Sequence, residues 1–159
     1  MAAKATLNVQ SFPRPPLLEH ISKHLVVKFQ NHVIAETRNG YWALETHHPP
    51  TYYIPSSDFK LPRSKSGHTS FCEWKGRATY WDLKLLETTE IVRNKAWSYE
   101  SPTSGFLPIK GFLSLYANAP WECFVDDEKV APQEGDFYGG WVTSEISGNI
   151  KGGPGTWGW

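Results

Sequence analysis

Glu45 is the carboxylate best placed to do chemistry. It closes the run Tyr41-Trp42-Ala43-Leu44-Glu45-Thr46, in which Tyr41 and Ala43 share its face, and it precedes His47-His48-Pro49-Pro50. A carboxylate held inside the fold near imidazole can serve as a general acid or base with a raised pKa. Its structural alternative is an inward Glu that satisfies backbone amides at the His-Pro-Pro bend. His47 and His48 alternate faces on an extended chain, so at most one of them shares a cleft with Glu45. A second candidate lies in TSFCEWKGRATYW, residues 69–81, where Cys72 sits close to Lys75. A neighbouring cation lowers a thiol pKa and would make Cys72 a nucleophile, but a packed, unreactive thiol is the commoner fate of free cysteine and is the expectation here. Tyr52, Tyr53, Trp74, Tyr80, Trp97 and Tyr99 can wall a ligand-binding cleft, with Lys75, Arg38 or Arg77 orienting an anionic or carbonyl group. A plain aromatic core would use the same rings. Tyrosine hydroxyls want a partner or water, which favours a partly wet cavity. Lys75 beside Trp74 places a cation and a flat ring at one mouth, so these two are expected to border the cleft, with Glu45, Tyr80 and Trp97 deeper and Cys72 behind them.

Other chemistry is excluded by what is missing. The charges balance, with 16 basic and 16 acidic residues, so no strong field favours nucleic acid or an anionic membrane. No stretch approaches the roughly 20 apolar residues of a membrane span, and residues 1–16 contain no apolar leader core, which makes a soluble, cytoplasmic protein the expectation. Cys72 and Cys123 stand far apart with no ligand spacing around them, so no metal site and no cofactor are expected. Nucleotidyl transfer would need a Gly-Ser turn for the triphosphate and carboxylates sharing one strand face. The chain has no Gly-Ser pair, and Asp126 and Asp127 are adjacent, so they would face opposite ways. The glycine-rich C-terminal segment contains no phosphate-loop motif either.

The elements that must position these residues are mostly strands. With 159 residues the chain suits one core. Residues 1–23 read as an extended, proline-containing arm, residues 24–132 as the main domain, and residues 133–159 as a Gly/Trp-rich tail packed on the domain or on a neighbour. Alternation in Leu25–Phe29, Val33–Thr37 and Tyr41–Thr46 predicts a three-stranded meander turned at Gln-Asn-His and at Asn39-Gly40. Thr51–Ile54 is extended, Pro55–Asp58 makes one helical turn, and Lys60–His68 is a polar loop before the Thr69–Trp81 hairpin. Ile91–Arg93, Ala96–Tyr99 and Trp121–Val125 are further short strands, the last turned by Asp126-Asp127. Ile109, Phe112, Leu115 and Tyr116 fall on one helical face, so a helix is expected over Pro108–Ala117.

Three motifs in this order carry a resemblance: Leu44-Glu45-Thr46-x-His48-Pro49-Pro50-x-Tyr52-Tyr53-x-Pro55, then Cys72-x-Trp74-Lys75-Gly76-x-Ala78-x-Tyr80, then Ala96-Trp97-Ser98-Tyr99. Over roughly Pro13 to Pro132 the chain resembles the domain of unknown function numbered 427, a family sometimes labelled nucleotidyltransferase-like. The tail from Phe137 resembles the longer members of cyanobacteria and fungi. The resemblance implies a β-tent, two small curved antiparallel sheets meeting at an angle, also the fold of the drug-binding domain of cereblon. There four cysteines hold zinc and a tryptophan cage holds the ligand; this chain has too few cysteines for the metal.

The expected protein is therefore mainly β with one short helix. It is read as a small-molecule-binding domain with an aromatic cleft lined by Tyr52, Tyr53, Trp74, Lys75, Tyr80, Trp97 and Tyr99, with Glu45 as the candidate catalytic residue for a cofactor-independent proton transfer, isomerisation or hydrolysis. The alternative is a non-catalytic protein-interaction module, in which the arm and tail dock on a partner or on a second copy, as a homo-oligomer. A titratable Glu45 facing an open concavity favours chemistry, and a sealed one favours structure.

Overall fold

A computed structural model of the chain describes residues 6–85, 90–135, 138–153 and 155–156. Strands dominate it, and the helical residues form three short 3-10 turns at Val9–Ser11, Ser56–Asp58 and Ser104–Ile109. One antiparallel sheet is built on the long hairpin Arg63–Cys72 and Gly76–Lys84, followed by Ile91–Ser98 and Ser114–Leu115. A second orders Glu128–Lys129, Glu122–Val125, Leu25–Phe29 and His32–Thr37. Its two hairpin turns, Gln30-Asn31 and Asp126-Asp127, each place both residues at positive φ, the twist that suits two-residue hairpins. A third sheet sets Tyr41–Leu44 between Leu17–His20 and Thr51–Tyr53. Two short pairs complete the fold: Leu7–Asn8 runs parallel to Ile146–Ser147, and Ala131–Pro132 runs antiparallel to Trp141–Val142. The chain is mainly β, made of several small, mostly antiparallel sheets with almost no helix, as the family resemblance implies.

Three local expectations fail, each for a physical reason. Tyr41–Leu44 does not pair with His32–Thr37. Asn39-Gly40 instead carries the chain from one sheet to another, and Gly40 serves close approach: a Cβ there would lie 2.7 Å from Leu25 Cδ1 and 3.0 Å from the Tyr53 carbonyl, while its own carbonyl accepts Ile21 N–H at 2.9 Å. The polar stretch ending at His68 is largely strand, because Arg63–Cys72 forms the outer edge of its sheet, where charged and hydroxylic side chains face water. Its register shifts between Lys65 and Thr69 around Gly67 at φ +88. Pro108–Ala117 is not a helix: Pro108 lies inside the 3-10 turn, Gly111 at φ +76 ends it, and Leu113 and Leu115 are buried on an extended segment. Ser114 between them is also buried, its hydroxyl donating to the Tyr52 carbonyl at 2.9 Å.

Apolar side chains gather in two clusters. The larger joins Leu25, Val27, Ile34, Leu83, Leu115 and Val125 with Tyr52 and Trp141. Trp141 comes from the tail, stacks on Tyr52 with ring centroids 5.0 Å apart, and donates its indole N–H to the Leu115 carbonyl at 2.9 Å. The smaller cluster is aromatic, containing Tyr53, Tyr80, Trp97, Tyr99 and Phe106, with Trp74 and Tyr116 at its margin. Trp157 and Trp159 lie outside the described residues. No helix among the described residues is long and apolar enough to cross a membrane.

Candidate functional site

Above the aromatic cluster opens a cavity of about 400 Å³, within the size range of small-molecule sites. Its wall includes six of the eight residues singled out in the sequence: Glu45, Trp74, Lys75, Tyr80, Trp97 and Tyr99. Tyr52 and Tyr53 do not line it. Tyr52 is spent in the larger core against Trp141, and Tyr53 is fully buried in the cluster beneath the cavity. Among the described residues neither hydroxyl finds a hydrogen-bond partner, and burial pushes both above the ordinary tyrosine pKa. Burial acts likewise on Tyr99 and Tyr116. Cys72 lines the cavity rather than packing behind Trp74, whereas Cys123 is buried in the core and its thiol pKa is pushed up.

The hairpin tip sets one side of the site. Glu73, Trp74 and Lys75 form its loop, and Gly76 at φ +107 re-enters the strand, a conformation that costs glycine least. The loop is pinned to the following segment: Thr103 donates its hydroxyl to the Trp74 carbonyl at 2.6 Å and its N–H to the Lys75 carbonyl at 3.0 Å. Thus anchored, Lys75 folds inward. It is only 8% exposed, and its ammonium lies 5.8 Å from the Tyr53 ring centre and 6.0 Å from that of Tyr99.

Opposite, the end of Tyr41–Leu44 places Glu45. His47 adopts φ 69, and His48 N–H donates to the Glu45 carbonyl at 3.0 Å. This tight turn swings both side chains to the same side, leaving His48 Nε2 4.0 Å from Glu45 Oε2. The arm braces the turn: Thr46 donates its hydroxyl to the Phe12 carbonyl at 2.6 Å, and Arg14 approaches Glu45 Oε2 at 3.7 Å.

Gln133 defines the state of His48. Its Oε1 accepts Gly140 N–H at 3.2 Å, and its Nε2 donates to the Lys151 carbonyl at 2.7 Å. Those two contacts fix which end of the amide is which, so the Nε2 that lies 3.0 Å from His48 Nδ1 is a donor there too. Nδ1 must accept, and the ring proton of neutral His48 resides on Nε2, on the Glu45 side. Burial holds the His48 pKa down to about 4, with Lys151, Lys75 and Arg14 acting in the same direction.

The tail supplies the third side, which sequence reasoning missed. Gln133, Tyr138, Gly139 and Lys151 all line the cavity; Tyr138 packs on His48 with ring centroids 5.0 Å apart, and Lys151 reaches over Tyr138 at 5.4 Å. Gly139 and Gly140 make that approach feasible. A Cβ on Gly139 would collide with the Trp97 indole, and one on Gly140 would lie 2.6 Å from the Pro49 carbonyl. The Gly139-Gly140-Trp141 sequence was the available signal; nothing marked Gln133. Arg38 and Arg77 do not reach the cavity. Among the described residues, no three His, Cys, Asp or Glu side chains gather to hold a metal ion.

The site thus offers a carboxylate, an imidazole N–H, an inward ammonium and flat aromatic faces around one concavity. Residues 17–130 match the family described as domain of unknown function (DUF427), and the chain belongs to that family. No curated protein matches it. Gln133, Tyr138, Gly139 and Lys151 lie beyond the matched residues.

Proposed function

We propose that this DUF427 chain is a small-molecule-binding domain whose aromatic cavity carries an acid–base pair, Glu45 and His48, suited to cofactor-independent proton transfer, isomerisation or hydrolysis. The observation that carries this reading is the convergence of Glu45, neutral His48 and Lys75 on one cavity of about 400 Å³. A purely structural Glu45 would be sealed; this one lines an open concavity and retains 22% of its side-chain exposure. Glu45 can take a proton from a bound substrate while the Nε2–H of His48 donates to the oxygen that gains negative charge, the division of labour expected of a base and a hydrogen-bond donor. Lys75 orients the ligand, and the rings exclude water from it.

Binding is tested by a thermal-shift screen of metabolites on the intact chain and on Trp74→Ala. Hits that stabilise the parent and lose their effect in the variant support the cavity; hits indifferent to the variant contradict it. Chemistry is tested on the hits with Glu45→Gln, which keeps the shape and removes the base. Turnover lost in Glu45→Gln with binding retained supports catalysis, whereas binding with no turnover in the parent leaves a binding domain alone.

A further inference from the structure

Lys75 presents an unanswered demand. Its side chain is 8% exposed, yet among the described residues it has neither an ion pair nor a hydrogen-bond acceptor, only the faces of Tyr53 and Tyr99. A ring face attracts a cation without accepting the directed N–H bonds an ammonium can make. Burying such a charge is costly unless a counter-charge is brought to it. The nearest candidates within the wall are engaged or turned away: Glu45 sits with Arg14 and His48 across the cavity, and Glu73 is exposed at the hairpin tip.

We propose that the occupant of this cavity is a flat, conjugated organic carboxylate, its anionic group on Lys75, its body against Trp74, Tyr80, Trp97 and Tyr99, and its far polar end on His48 Nε2–H. The inference rests on the small-molecule-binding reading above and narrows it to one ligand class. Planarity follows from the lining, since indole and phenol faces gain most from stacking on a flat π-system. A carboxylate is favoured over a phosphate ester because a phosphate dianion calls for several converging donors, such as an arginine fork or a helix N-terminus. Among the described residues the wall has lysines and no arginine, and the helical turns here are too short to supply a terminus. The far end is matched by a donor, so a hydroxyl or carbonyl oxygen opposite the carboxylate completes the fit.

Isothermal titration of the full chain with trans-4-hydroxycinnamate and with its primary amide separates charge from shape. The carboxylate should bind about tenfold to a hundredfold more tightly, the range expected for a hydrogen bond to a buried charge. Lys75→Met should bring the two affinities within about twofold of each other, and Lys75→Arg should keep the preference. The comparison in the parent protein needs no variant, so it stands even if Lys75→Met folds poorly. Equal binding of acid and amide, both lost in Trp74→Ala, would overturn the carboxylate assignment and leave the cavity reading intact. A preference that survives Lys75→Met, or tighter binding of phenyl phosphate, would also overturn it. No binding by any of the three would overturn this inference alone, because the cavity reading is decided separately by the metabolite screen on the parent and on Trp74→Ala.

Discussion

Acidification should cost this protein stability through His48 specifically. In the unfolded chain the imidazole takes up a proton near pH 6.5; in the fold burial holds that event down to about 4. Between those values the unfolded state binds the extra proton, so stability falls as pH falls through the window and is fully present above 6.5. The gap corresponds to roughly 3 kcal/mol, or roughly 6 to 12 °C in melting temperature for a chain of this size. Groups facing the ring include Glu45 from its own turn, Arg14 from the arm, Lys75 from the hairpin tip, and Gln133, Tyr138 and Lys151 from the tail. Protonating Nδ1 would also set its N–H against the Gln133 amide donor. Urea denaturation at several pH values from 7 to 4.5, on the parent and on His48→Gln, isolates the contribution, since other titrations largely cancel in the difference. Over this range, which stops short of the folded-state pKa, the parent should lose about 2 kcal/mol more than the variant. Parallel stability curves would refute a buried, neutral His48.

Trp141→Ala should cost about 3 to 5 kcal/mol, because it empties a core position and orphans the Leu115 carbonyl; urea midpoints check this, and an unchanged midpoint would detach the tail from the core. Gly139→Ala should cost about 1 to 3 kcal/mol by forcing the tail off Trp97, and it should weaken ligand binding measured by calorimetry. Cys72→Ser should bind and turn over ligand as the parent does, with loss of activity on the substitution arguing for a nucleophilic thiol.

Strand alternation made much of the fold legible, and positive-φ turns such as Asp126-Asp127 fell where their residue types indicated. What misled was local sequence whose reason is tertiary. Asn39-Gly40 carries a hairpin signature, but Gly40 is glycine because Leu25 and the Tyr53 carbonyl press on it. Ile109, Phe112 and Leu115 sit at helical spacing, yet Pro108 and Gly111 break the segment and neighbouring strands bury it extended. Within the site, Trp74, Lys75 and Tyr80 were legible because one hairpin brings them together locally, and Trp97 lies opposite Tyr80 on the next strand. Tyr52 and Tyr53 are consecutive on a strand, and both of their faces turned out to be interior. The Gln133–His48 contact spans 85 residues, and no short-range pattern records it.

The most direct test of the central claim is a crystal structure of the full chain grown with trans-4-hydroxycinnamate. The expected result is ligand density inside the cavity, its carboxylate within hydrogen-bonding distance of Lys75 Nζ and its ring against Trp74 and Trp97. An empty cavity at saturating ligand, or a ligand seated elsewhere on the surface, would contradict it.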